Sequence, residues 1–155
     1  MTIFQAPEYD PRKARRRKII LSIIVVVVIA AGVVLWVFRN YPEERIASKF
    51  FTALQQQDYK KAYGIWIADP SWEQHPNNHP QYPFNDFYRD WGPGGEWGLI
   101  RTFHIDSSTR PRDPNSGISN GVVVIVTLND RKEPTTVFVD PKDDTISFSP
   151  FEVVQ

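Results

Sequence analysis

Residues 46–66 read IASKFFTALQQQDYKKAYGIW, and the phase of their apolar positions decides the folded part of this chain. Ile46, Ala47, Phe50, Phe51 and Leu54 fall at i, i+1, i+4, i+5 and i+8, one face of an α-helix. Continuing that phase lands on Gln55, Gln57 and Asp58, all polar, and a new phase starts at Tyr59, Ala62, Tyr63 and Trp66. The break predicts two helices, with Asp58 capping the second through its carboxylate. Upstream, Pro42-Glu43-Glu44 makes a helix start. Proline is tolerated in a first turn, and two carboxylates oppose the positive end of the helix dipole.

Toward the C-terminus, Asp69–Tyr82 (DPSWEQHPNNHPQY) is rich in Pro and Asn and reads as a loop. Phe84, Phe87, Tyr88 and Trp91 at i, i+3, i+4 and i+7 predict a short third helix over Phe84–Trp91, ended by Gly92-Pro93-Gly94-Gly95. Strand patterns follow. Leu99–Asp106 alternates, with Leu99, Arg101, Phe103 and Ile105 forming the more apolar face against Ile100, Thr102, His104 and Asp106. Arg110–Asn120 is a turn-rich connection, and Gly121–Leu128 (GVVVIVTL) is apolar on both faces, as a covered central strand is. Thr135–Val139 and Thr145–Ser149 complete four strands, joined by turns at Asn129–Glu133 and Asp140–Asp144. Links this short favour consecutive antiparallel hairpins. The expected architecture is α+β, about three helices packed on one face of a curved four-stranded antiparallel sheet.

Toward the N-terminus, Ile19–Phe38 (IILSIIVVVVIAAGVVLWVF) is twenty residues with Ser22 as its one polar side chain. As a helix it would measure about 30 Å, the thickness of a bilayer's hydrocarbon core. The β-branched run Val25–Val28 would suit a strand in water, but an open strand in lipid leaves backbone groups unpaired. The segment exceeds the roughly 7–15 residues of a signal-peptide core, which favours an uncleaved anchor, and Ala14-Arg15-Arg16-Arg17-Lys18 lacks the residues of a twin-arginine signal. Residues 1–18 carry six basic side chains against Glu8 and Asp10, a net +4, whereas residues 39–155 carry 12 basic and 16 acidic groups, a net −4. The overall charge of zero is therefore a basic tail and an acidic domain flanking a membrane span. By the positive-inside rule residues 1–18 are expected to be a cytoplasmic tail, 19–38 a transmembrane helix and 39–155 an extracytoplasmic domain. Residues 1–11 read as a disordered tail. An acidic domain disfavours nucleic-acid binding, and the lack of Cys excludes disulfides, thiolate metal sites and Cys nucleophiles.

The pair of helices in residues 46–66, with an aromatic first helix, a turn around Asp58 and a Y..AY..W-type second helix, resembles the opening of the nuclear-transport-factor-2-like superfamily. In element order the likeness extends over about residues 43–149. The resemblance implies a cone-like domain in which a curved sheet encloses a pocket, used by some members as an active site. Many membrane-anchored bacterial members have no known reaction and act in binding or assembly, which implies the inner membrane of a bacterium as the location, and the topology resembles the periplasmic domains of type IV secretion assembly factors.

Candidate chemistry is sparse. Glu73, His75 and His79 could converge on a metal, but Pro76, Pro80 and two Asn between the histidines oppose the helix that would align them, so solvated loop histidines and no metal are expected. Asp86 and Asp90 lie one helical turn apart, on the side away from the apolar face, and read as a solvated pair. His104 and Asp106 share a strand face opposite the more apolar one, which favours surface residues; if it lined the cone, His104 would be a general base with Asp106 or Tyr88 as partner and Trp91 as a further ligand-binding residue. A cone filled by Phe and Trp would argue against that. No nucleophile elbow, phosphate loop or dinucleotide fingerprint occurs, and no cofactor is expected. Trp72, Tyr82 and Trp97 lie in segments flanked by Pro and Gly and are candidate partner anchors. Tyr41–Glu44 leaves almost no linker, which suits an accessory subunit or scaffold packed on a membrane-protein partner, with a small-ligand receptor or enzyme as the alternative.

Overall fold

The computed structural model describes residues 11–111 and 121–149. Residues 1–10 of the tail expected at 1–11, and most of the connection expected at 110–120, lie outside the described residues. Contacts divide the chain between Arg39 and Asn40.

The first unit is helix α1 (Pro11–Val37). The large apolar side chains from Ile19 to Val37 are each 51–74% exposed, on every side of the helix, so none of the described residues takes them out of water. Among the described residues this is the one helix long and apolar enough to cross a membrane.

The second unit is α+β. Helices α2 (Tyr41–Gln55), α3 (Tyr59–Trp66) and α4 (Phe84–Trp91) precede strands β1 (Phe103–Thr109), β2 (Val122–Leu128), β3 (Thr135–Val139) and β4 (Ile146–Phe148). The strands form one antiparallel sheet in the order β1-β2-β3-β4. The phase break in residues 46–66 is a real chain reversal. Gln57 takes a left-handed conformation (φ 59°), its N–H donates to Leu54 O, and Asp58 N–H donates to Ala53 O, so the orphan carbonyls of α2 are satisfied. Asp58 then caps α3 by accepting from Lys61 N–H at 3.1 Å. The same device ends α3: Ala68 (φ 54°) donates to Ile65 O and Asp69 N–H to Gly64 O.

The inward sheet face carries Phe103, Ile105, Val124, Val126, Leu128, Val137, Val139 and Ile146, packed against Phe50, Phe51, Leu54 and Trp91 of the helices. Two expectations needed correction. The first strand begins at Phe103 rather than Leu99, because Arg101 and Thr102 give their N–H groups to Asn129 Oδ1 (2.7 and 3.3 Å), the Asn129 side chain in turn donates to Leu99 O, and its own N–H goes to Thr102 O. Strand alternation therefore does not apply there, and Ile100, assigned to the polar face, is buried. Asp69–Tyr82 is also more regular than a loop, with one-turn 3-10 helices at Trp72–Gln74 and Pro76–Asn78; Pro76 stands in the first position of the second. A β-bulge at Asp106 shifts the register between Ile105 and Ser107, so that Ser108 rather than Ser107 follows Ile105 inward. Ser108 there donates to Glu44, and Arg110 donates to Asn40 Oδ1 (2.9 Å) and to the buried Glu43 (2.6 Å), tying the end of β1 to the first turn of α2.

Candidate functional site

Between helices and sheet, the space that would form a cone is filled by rings. Phe50 packs edge-on against Phe51 (centroids 5.0 Å) and Trp91 (5.1 Å) and tilted against Trp66 (5.3 Å). Phe50, Phe51, Phe87 and Trp91 are at most 1% exposed. Trp97 stacks on Trp91 at 4.2 Å, and the Phe148 ring lies parallel to it at 5.9 Å. In this interior Trp91 Nε1 is buried with no hydrogen-bond partner among the described residues.

The four residues considered for ligand binding are not brought into one site. Trp91 belongs to the core. Tyr88 is exposed and meets Tyr59 edge-on at 5.1 Å. His104 and Asp106 lie exposed on the sheet face away from the helices, where His104 pairs across the ladder with Thr127 and Asp106, the bulge residue, accepts from Thr127 Oγ1 at 2.7 Å. The inward positions of β1 go to Phe103 and Ile105, and the period of two sends His104 outward.

Of the three candidate partner anchors, Trp72 is a correction. It is buried, donates from Nε1 to Lys60 O (3.2 Å), meets Tyr63 edge-on at 4.8 Å and stacks on Phe84 at 5.0 Å. Tyr82 and Trp97 are half-buried. The Tyr82 carbonyl accepts from Tyr63 Oη (2.8 Å), and its own hydroxyl donates to Asp90 Oδ2 (3.0 Å). Burial, and then the Asp90 carboxylate, push the Tyr82 phenol well above its ordinary range. Asp86 and Asp90 stay partly exposed on the side of α4 away from the core; both meet the exposed Arg89 (3.0 and 3.4 Å), and Asp90 also accepts from Tyr82. A residue not singled out from sequence joins the two aromatics. Phe148 is 44% exposed and lies 5.9 Å from the Tyr82 ring and 6.4 Å from Trp97. Its alternation with Ile146 aims it inward, but it stands at the end of a three-residue edge strand, where the sheet covers only part of it.

The histidines of the loop are organised by Asp69, which sequence spacing did not mark. His75 Nε2 lies 2.7 Å and His79 Nε2 3.5 Å from Asp69 Oδ2, while Ser71 donates its N–H and hydroxyl to Oδ1 (both 2.9 Å). Partial burial pushes the Asp69 carboxyl up, but the hydrogen bonds from Ser71, His75 and His79 together outweigh it and hold the group down at about 2. Glu73 turns instead to Lys60 at 3.2 Å. Among the described residues no group of three His, Asp or Glu side chains is arranged to hold a metal ion. An open groove of about 1230 Å³ runs along α2 and α3, lined by Ile46, Ile65 and Trp72 with Arg45, Lys49 and Lys61.

No family model, curated protein or solved structure matches this chain.

Proposed function

We propose that this chain is a single-pass membrane protein whose α+β domain stands on the outer face of a bacterial-type cytoplasmic membrane. There it serves as a non-catalytic binding or assembly subunit of a larger membrane complex. The observation that carries this is the filled interior: Phe50, Phe51, Phe87 and Trp91 occupy the space a ligand would need. Recognition is then left to the surface. Tyr82, Trp97 and Phe148 form a partly exposed aromatic face over the core, and rings held in place by stacking lose little freedom when a partner covers them. The likeness of residues 46–66 to nuclear-transport-factor-2-like proteins supports the same role, since membrane-anchored members of that superfamily work in assembly.

The test is mild detergent solubilisation of the membrane holding the full chain, followed by purification. The wild type is expected to bring a stoichiometric membrane-protein partner, and Phe148→Ala, which truncates a 44%-exposed ring, is expected to weaken that association without unfolding the domain. A lone, monodisperse wild-type protein would contradict the accessory role.

A further inference from the structure

The basic residues before the apolar segment can be explained by orientation alone. The structure adds that they are helical. Helix α1 begins at Pro11, two turns before Ile19, so Arg15, Arg16, Arg17 and Lys18 continue the same rod as the apolar residues. Successive residues of an α-helix are separated by about 100° in rotation and about 1.5 Å in rise. Four in a row therefore surround the axis within about 4.5 Å of its length. All four are exposed, and none pairs with an acidic group among the described residues. Their last member adjoins Ile19, so in a bilayer that buries the apolar segment the ring falls in the headgroup layer, about 5–7 Å deep on each side.

We propose that Arg15–Lys18 form a collar that binds the phosphodiester headgroups of anionic phospholipids around the membrane helix. Orientation requires only an excess of positive charge on one side. A closed ring at one depth places a cation against lipids arriving from every direction, whichever way the helix is rotated. Guanidinium groups, three of the four here, present paired N–H donors that match phosphate oxygens. The ligand is a shell of lipid rather than one bound molecule, because successive cations point about 100° apart and only Arg15 and Lys18, at i and i+3, face the same side. This inference rests on residues 19–38 crossing a bilayer.

The full-length protein reconstituted in phosphatidylcholine vesicles, with traces of spin-labelled phosphatidylglycerol or phosphatidylcholine, reads the proposal directly as motionally restricted lipid. Both leaflets carry the label, so the orientation of insertion does not matter. Wild type is expected to restrict phosphatidylglycerol about fivefold more strongly than phosphatidylcholine, the effect of one cation near an anionic headgroup. The ratio should fall toward about one in R15Q/R16Q/R17Q/K18Q and in high salt. R15K/R16K/R17K, which keeps the charge, should retain most of it. Equal restriction of both lipids by wild type, an unchanged ratio in the Gln variant, or displacement of lipid by equimolar inorganic phosphate would overturn the collar while leaving the membrane span standing. Absence of any restricted lipid, of either kind, would overturn the span and the collar with it.

Discussion

Asn129 sits in a left-handed conformation (φ 52°), followed by Asp130 in another (φ 56°), and Arg131 N–H closes the turn on Leu128 O at 3.0 Å. Asparagine tolerates that backbone. Its amide also accepts from two backbone N–H groups and donates to Leu99 O, holding a segment about thirty residues earlier in the chain. Asn129→Ala loses both services and is expected to cost about 2–3 kcal/mol, whereas Asn129→Gly, which keeps the turn, is expected to lose about 1 kcal/mol less. Chemical denaturation of the two variants separates the contributions. At Asp69 the relevant variable is pH. Its carboxyl falls from 3.8 to about 2 on folding, so its contribution is complete above pH ~4 and disappears as pH falls toward ~2. The gap in thermal midpoint between wild type and Asp69→Asn should accordingly be constant above that window and close within it. A gap that persists unchanged at pH 2 would mean that Ser71, His75 and His79 do not act on the ionised carboxylate.

At the scale of elements, most of the architecture was legible because it rests on local periodicity. The change of phase at Gln55–Asp58 marked the α2–α3 reversal, the spacing of Phe84, Phe87 and Trp91 marked α4, and Thr135–Val139 is β3 to the residue. What failed was whatever depends on a distant partner. Leu99–Thr102 alternates like a strand, but Asn129 takes its backbone groups; Asp106 could not be known as a bulge without the register of β2; Trp72 reads as a loop aromatic until Lys60 and Tyr63 enclose it. The candidate site was legible only in its residues. The alternation of Phe103 and Ile105 already set His104 opposite the more apolar face, but nothing local says that Asp69 will gather histidines six and ten positions later. Both helix ends rest on non-glycine residues in the left-handed region, Gln57 and Ala68. Each helix hydrogen bond there comes from the backbone, so Ala68→Gly and Gln57→Gly should keep the motif and relieve its strain. Each is expected to raise stability by about 0.5–1 kcal/mol, additive in the double variant and visible as a higher melting temperature. A loss of stability at either position would mean that its side chain contributes more than the strain costs.

At the scale of the whole molecule, charge and hydropathy divide the chain more sharply than any motif does. A basic segment with net +4 and an acidic one with net −4 flank an apolar run whose large side chains are covered by none of the described residues. The acidic domain has an interior built largely of aromatic rings, and Tyr88, Trp91, His104 and Asp106 are not gathered into one site within it. We propose that it works by contact, from a fixed position at the membrane. The most direct measurement is protease accessibility of the full chain in intact spheroplasts. Protease added outside is expected to remove the domain beyond residue 39 and leave a membrane-bound fragment carrying residues 1–38. Protection of the domain outside, with digestion only after the membrane is opened, would contradict the topology on which the proposed role depends.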